Sequence, residues 1–315
     1  MKIVFLDAAT LGDDLTYTSF EELGEVTVYP TTSEEEFEIH IRGADVAIIN
    51  KQKMTAQNLP LASNLKLICL AATGFDNVDL NYCRSAGIGV CNVVGYSTQS
   101  VAQLTLSMAL SLYTHLDEYT AFVRSGEYTK KGIANRLTPV YHEIAGKTWG
   151  IVGYGNIGRQ IARVAEAMGC RILVYKRTPI EGIACVDFNT VCQKSDILSL
   201  HVPLNEQTKN LLDASHIAML KKDAIVVNVA RGAVTDEAAL ADALLKGKIG
   251  GIGIDVYSKE PFGTEHPFDK IKHLPNVLLT PHMAWGGYET RVRLLNEIKA
   301  NIVAFLAGEE RCRVD

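Results

Sequence analysis

The run Thr148-Trp149-Gly150-Ile151-Val152-Gly153-Tyr154-Gly155-Asn156-Ile157-Gly158-Arg159 decides how this chain is read. An apolar segment of strand length enters three glycines spaced G-x-G-x-x-G, and a stretch of helical period follows from Arg159 to Met168. In that setting Gly153 permits the tight turn, Gly155 lets the backbone approach a pyrophosphate, and Gly158 brings helix close to strand. The helix start, with Asn156 and Ile157, presents free N–H groups that hold an anion. A glycine-rich turn without a ligand is the plainer alternative, but strand before and helix after favour a dinucleotide site.

Working outward, short apolar runs closed by Gly, Asp or Pro alternate with helical stretches, the pattern of a parallel sheet wrapped by helices. Two series appear. The first is Lys2 to Asp7, Val26 to Tyr29, Val46 to Asn50, Leu67 to Ala71 and Gly89 to Asn92, with charged helical stretches such as Ser33 to Arg42 between. The second is Thr148 to Val152, Arg171 to Tyr175, Ile197 to His201, Ala224 to Asn228, Gly251 to Asp255 and Val277 to Thr280. Six strands are the count of a complete dinucleotide-binding sheet. Between the series, Ser100 to Leu116 predicts one buried connecting helix, and the polar stretch through Gly126, Lys130, Lys131 and Pro139 an arm. Tyr288 to Leu306 predicts a final helix packing back on the first domain.

The 315 residues, 47% hydrophobic and 21% charged with 25 Gly and 9 Pro, suit one large or two ordinary α/β domains and exclude disorder and collagen-like repeats. A net charge of −5 repels polyphosphate over most of the surface, so no nucleic-acid partner is expected. The seven cysteines, odd in number and without a Cys-x-x-Cys pair, argue for thiols in a reducing compartment, with neither a disulfide framework nor a metal site. The apolar start Met1 to Leu6 meets Asp7 too early for a signal peptide, and polar residues interrupt the uncharged stretch Ser85 to Thr114. A soluble, cytoplasmic protein without a membrane partner is the expectation.

A NAD site normally carries an acid about 20 residues past the glycine loop, accepting hydrogen bonds from the adenosine ribose. Here Lys176 stands 18 residues after Gly158, followed by Arg177 and Thr178. Neither cation can accept from a hydroxyl, and both can bind a 2′-phosphate. NAD(P) is therefore the expected cofactor, with NADP(H) favoured over NAD(H); solvated strand-end charges are the alternative.

The last strands of the second series end in reactive side chains: Asn228-Val229-Ala230-Arg231-Gly232, Asp255 through Glu260-Pro261, and Thr280-Pro281-His282. In a doubly wound sheet such ends open on one crevice beside the cofactor. Arg231 can hold a substrate carboxylate in a planar fork and polarise the adjacent carbonyl. His282 can give the carbonyl oxygen a proton as hydride reaches C2, and Glu260, hydrogen-bonded to the imidazole, can orient it and favour its charged form. Each has a duller reading alone: a surface ion pair, a solvated loop acid, a satisfied strand-end histidine. Together they are the set needed to reduce a 2-oxo acid.

With these motifs in this order, the chain resembles the D-isomer-specific 2-hydroxyacid dehydrogenases over nearly its whole length. The resemblance implies a flavodoxin-like substrate domain (residues 1–98 and 285–315) with an inserted Rossmann domain (99–284), a cleft between them, and a homodimer formed through the nucleotide domain and its arm. It implies that the backbone of Ala72, Thr73 and Gly74 binds the substrate carboxylate, with Lys51 on a neighbouring loop. A strand-end turn and a solvated lysine are the respective alternatives. It likewise places His201, Val202, Pro203 and Thr208 around the adenosine and phosphates, and Val229, Ala230 and Asp255 on the nicotinamide side; for Asp255 a structural cap is the alternative.

Two positions depart from the family pattern. Gln103 replaces a frequent Glu near the domain junction, and Lys176 replaces the usual acid. Gly95-Tyr96-Ser97-Thr98 and Pro281 to Trp285 look most like the branch of glycerate dehydrogenases and hydroxypyruvate/glyoxylate reductases. The implied reaction joins NAD(P)H to a small 2-oxo acid, hydroxypyruvate or glyoxylate. A short 3-phosphoglycerate or D-lactate dehydrogenase is the nearest alternative, and a dinucleotide-sensing co-repressor-like protein the alternative of another class.

Overall fold

Each series of apolar runs pairs into a parallel sheet. The computed structural model describes residues 1–178, 180–183 and 185–315. It divides into two units, Met1–Ser97 with Gly286–Asp315, and Thr98–Trp285.

In the first unit β1 (Lys2–Phe5), β2 (Glu25–Val28), β3 (Val46–Ile49), β4 (Leu67–Leu70) and β5 (Gly89–Cys91) form a sheet of order β2-β1-β3-β4-β5. That is the flavodoxin-like order. The central strands β3 and β4 are buried along their whole length, whereas edge strand β2 is not, as expected of a sheet covered on both faces. Helices α1 (Phe37–Ile41) and α2 (Leu80–Ala86) close one face, with Phe37, Ile41 and Cys83 packed in one core with Val4, Leu6, Ala47, Ile49, Ile68 and Leu70. The sequence stretch from Ser33 to Arg42 is regular helix only from Phe37; in the turn before it Ser33 and Glu36 exchange the paired hydrogen bonds of a capping box (2.9 and 3.2 Å). The C-terminal helix Tyr288–Leu306 buries Leu294, Leu295, Ile298 and Ile302. Asn301 donates to the Asn92 carbonyl (2.9 Å) and Arg293 to that of Tyr96 (2.6 Å), fastening it to this unit.

The second unit opens with α3 (Thr98–Tyr113), α4 (Leu116–Arg124) and α5 (Glu127–Lys131). The connecting helix expected over Ser100 to Leu116 is α3, which stops at Tyr113, and α4 and α5 lie in the stretch expected to be an arm. His115 takes φ 53°, a left-handed conformation that ends α3 and that the residue type does not announce. The alternation β6 (Thr148–Val152), α6 (Asn156–Ala167), β7 (Arg171–Tyr175), α7 (Phe188–Lys194), β8 (Ile197–Leu200), α8 (Ala214–Ile217), β9 (Ile225–Asn228), α9 (Glu237–Leu245), β10 (Gly251–Ile254) and β11 (Val277–Leu279) follows. The strands form a sheet of order β11-β10-β9-β8-β6-β7.

Successive residues of these strands serve opposite faces. Ile151, Ile197, Ile225 and Val227 pack in a core with Ala102, Met108 and Ala109 of α3 and Ile161 and Ala165 of α6. Val152, Leu198, Leu200 and Val226 pack in the other core, with Val191 of α7, Ile217 of α8 and Leu240 and Leu244 of α9. The six strands anticipated from sequence are present, yet they are not the usual six. In the standard order the third strand lies beside the second; here, among the described residues, the bridge between Val174 and Cys185 is what stands in that place, and β11 extends the far edge. Among the described residues no helix is long and apolar enough to cross a membrane, and all seven cysteines are free.

Candidate active site

The glycine turn shows what its geometry is for. Gly153 has φ 98°, and a Cβ there would lie 2.7 Å from the His201 carbonyl oxygen; one on Gly158 would lie 2.3 Å from that of Gly153. Both glycines are required by the fold itself. Gly155 is different: among the described residues a Cβ would meet nothing within 4 Å, so the protein's own packing does not demand glycine. The bare backbone there, at the N-terminus of α6 with Asn156 and Ile157 in its first turn, is a cradle that a side chain would fill and a pyrophosphate suits.

Beside it, at the end of β8, both ring nitrogens of His201 are shielded from solvent and lack hydrogen-bond partners among the described residues. Burial drives its pKa down to about 3, so the ring is neutral at neutral pH. An orphaned polar ring next to the cradle fits a site completed by a bound dinucleotide. The loop that follows is shaped internally: the Thr208 hydroxyl donates to the Pro203 carbonyl (2.6 Å) and accepts from Asn205 N–H (2.8 Å). At the end of β7, Lys176 is half-buried and Arg177 and Thr178 are exposed. Arg177 donates to the side-chain oxygen of Gln207, tying the strand end to the 203–208 loop; Gln207 carries no motif and was not singled out from sequence.

The ends of neighbouring strands β9, β10 and β11 carry Arg231, Glu260 and His282. At β9, buried Asn228 accepts from Ala230 N–H (3.0 Å) and donates to the Arg231 carbonyl (2.9 Å), fixing the Val229–Arg231 turn. The Arg231 guanidinium donates to the Ala230 carbonyl (2.8 Å). Glu260 is shared between two partners: one oxygen accepts from Tyr257 N–H (3.0 Å), the other lies 2.6 Å from His282 Nδ1. Both side chains are largely covered. His282 itself has φ 53°, an uncommon conformation that persists only where neighbours hold it. Asp255, fully buried, supplies that hold: it accepts from Thr280 Oγ1 (2.6 Å), Met283 N–H (2.8 Å) and Ala284 N–H (2.9 Å). Burial raises its pKa, against the opposing effects of these donors.

The remaining sequence-derived positions lie in the first unit. Lys51 is exposed just beyond β3, where its N–H, with those of Asn50 and Gln52, donates to Asp7. Burial raises the Asp7 pKa and the three N–H groups oppose the rise. Ala72, Thr73 and Gly74 follow β4, where the Thr73 hydroxyl donates to the Val93 carbonyl (2.7 Å) and Asn92 to that of Thr73 (2.7 Å). Asp7 and Asn92, which shape these two loops, are polar residues closing apolar strands, and that is the signal by which sequence could have found them. Gln103 is exposed on α3.

Residues 106–284 match the family model described as the NAD binding domain of D-isomer specific 2-hydroxyacid dehydrogenases. The chain belongs to that family. Among its relatives, the chain is 39% identical to a glycerate dehydrogenase of Methylorubrum extorquens, covering 98% of this chain and 97% of that one. It is 33% identical to a hydroxypyruvate reductase of Blautia hydrogenotrophica, covering 98% of each. Among solved structures, a D-lactate dehydrogenase of Aquifex aeolicus with bound NAD and lactic acid matches with a TM-score of 0.86 at 27% identity, covering 98% of this chain and 97% of the other. Membership of this oxidoreductase family makes a nicotinamide dinucleotide the group for the Gly153–Gly158 cradle, and the open position at Gly155 and the orphaned His201 ring fit it.

Proposed function

We propose that this chain reduces a small 2-oxo acid at C2, hydroxypyruvate to D-glycerate or glyoxylate to glycolate, as a cytoplasmic homodimer whose units Met1–Ser97 with Gly286–Asp315 and Thr98–Trp285 are the substrate and nucleotide domains. The observation that carries the reading is the 2.6 Å contact between Glu260 and His282 at the end of the nucleotide-binding sheet. A carboxylate on Nδ1 fixes the ring's orientation, and the proton given to the substrate oxygen is assigned to Nε2. Glu260 compensates the positive charge the ring carries while it holds that proton. Arg231 takes the substrate carboxylate, and the backbone N–H groups of Ala72, Thr73 and Gly74, with Lys51, are further groups suited to binding a carboxylate. The bound reduced nicotinamide supplies the hydride. Its dinucleotide is held by the 153–158 turn, His201 to Pro203, Thr208, Val229 and Ala230, while Asp255 holds the 280–284 turn beside it. The test is oxidation of reduced nicotinamide with hydroxypyruvate, glyoxylate, pyruvate and 3-phosphohydroxypyruvate in parallel. The proposal expects the first two to be turned over fastest and fails if 3-phosphohydroxypyruvate or pyruvate is clearly preferred. The relationship to a glycerate dehydrogenase at 39% identity supports this substrate choice.

NADP(H) is the proposed cofactor, because Lys176 and Arg177 stand where a ribose-binding acid would repel a 2′-phosphate. A charge-assisted hydrogen bond contributes about 1.5–3 kcal/mol, so kcat/KM should favour NADPH over NADH by roughly 10- to 100-fold. Lys176→Asp should reverse the preference. Steady-state kinetics with both cofactors check this, and a wild-type preference for NADH would reduce the two cations to solvated strand-end charges.

The homodimer rests on the arm. Leu116, Val123, Ile133, Leu137, Val140 and Tyr141 are all exposed, Leu137 to 77%, a concentration of apolar surface of the kind that marks an interface. The predicted occupant is a second copy related by two-fold symmetry. Light scattering should give twice the chain mass, and Leu137→Asp with Val140→Asp should give a monomer; a monomeric wild type would remove the proposal. Free thiols are in keeping with a reducing compartment.

A further inference from the structure

Behind the Glu260 loop lies a buried acid that the reaction above does not use. Glu237 occupies the first turn of α9, where the free N–H groups and the helix dipole favour a carboxylate, and only 8% of it is exposed. One oxygen accepts from Ser258 N–H (2.9 Å), and the other accepts from the Ser258 hydroxyl and lies 3.0 Å from His266 Nε2. The Phe268 N–H donates to His266 Nδ1 (3.2 Å), so the ring's N–H lies on Nε2 and is donated to Glu237. Three donors therefore converge on one carboxylate, the condition under which a buried charge is tolerated.

The partner of this carboxylate is the chain that carries Glu260. Ser258 follows Tyr257, whose N–H donates to Glu260, and precedes Glu260 by two residues. The same backbone is also met by Gly232: a Cβ there would lie 2.0 Å from the Tyr257 carbonyl carbon and 2.1 Å from Ser258 N. The residue next to Arg231 is thus in backbone contact with the loop of Glu260. We propose that Glu237, seated on His266, is a positioning residue for Glu260: by gripping Ser258 against Gly232 it gives the 255–260 loop the one course that turns Glu260 onto His282. The inference rests on the reading of Glu260 and His282 as the proton-transfer pair.

Glu237→Gln keeps an oxygen for Ser258 N–H but sets an amide against the hydroxyl and the His266 N–H, loosening the grip without changing shape. Misplacement of a reacting group by about 1 Å costs up to about 10²-fold, so kcat should fall about 10- to 100-fold with KM and Kd for NADPH unchanged. The deciding comparison repeats Glu237→Gln in a Glu260→Gln background. A residue acting through Glu260 should there lose nearly all its effect, to within about twofold, whereas a generally structural residue should lower kcat by the same factor in both. Equal factors, or no fall at all, overturn the inference. Ser258→Ala, which removes one of the bonds, is compared in the same two backgrounds and decides the matter if Glu237→Gln does not fold. Glu260→Gln and His282→Asn measured alone separate the two levels. If both retain wild-type kcat, the proton-transfer reading fails and this inference with it; if both lose turnover while Glu237→Gln and Ser258→Ala do not, only this inference fails.

Discussion

Replacing His282 by Asn should lower kcat by about 10³-fold in both reaction directions, within the range that general acid–base groups contribute, while the dissociation constant for NADPH stays within about twofold. The loop around it should survive, because Asp255 holds Met283 N–H and Ala284 N–H through its carboxylate and does not depend on the imidazole. The cofactor cradle likewise lies on β6 and α6, away from the exchanged side chain. Stopped-flow binding of NADPH by fluorescence, alongside steady-state turnover, separates the two effects. Near wild-type kcat in the variant would remove His282 from the proton-transfer step, and with it the role given to Glu260.

Arg231→Ala should damage substrate binding and rate together. A guanidinium holding a carboxylate through two charge-assisted hydrogen bonds contributes about 3–6 kcal/mol, so kcat/KM should fall roughly 10²- to 10⁴-fold. The fall should appear partly in KM, since the bond forms in the ground state, and partly in kcat, since the same group polarises the adjacent carbonyl. The turn should hold its course, because Asn228 binds the Arg231 carbonyl and the Ala230 N–H independently of the guanidinium, whose own bond to the Ala230 carbonyl is the one lost. Arg231→Lys should recover only part of the loss, since an ammonium offers a point charge in place of a planar fork. Full recovery by lysine would mean that charge alone is used, and an unchanged KM would place the substrate carboxylate elsewhere.

The fold was legible because strands buried on both faces read as unbroken apolar runs, as Val46 to Ile49 and Leu67 to Leu70 do. Conformation without a compositional signal was not legible. The left-handed His115 that divides α3 from α4 is an ordinary histidine in the sequence. Among the described residues a single bridge at Cys185 stands in place of the third strand of the standard order, and the count hides this, since β11 restores the number six.

In the site, Arg231, Glu260 and His282 stand out as polar residues closing apolar strands, and the contact of Glu260 with His282 follows from the chemistry each could perform. The groups that hold them do not stand out. Glu237 reads as a helix-start acid, and its partners Ser258 and His266 are 21 and 29 residues away, so only the packing of α9 against the loop brings them together. Gly232 reads as one more strand-end glycine until the backbone of Tyr257 is found against it. Gly155 shows the converse case: among the described residues a Cβ there would meet nothing within 4 Å, so the proposed dinucleotide is what would call for glycine.

The most direct measurement of the central claim is the configuration of the product. Purified protein is given hydroxypyruvate and NADPH, oxidation of the nicotinamide is followed by its absorbance, and the glycerate formed is resolved into enantiomers. The expected result is oxidation matched mole for mole by D-glycerate, with kcat about 10³-fold lower in the His282→Asn variant. L-Glycerate as the product, or no oxidation by protein shown to bind NADPH, would contradict it.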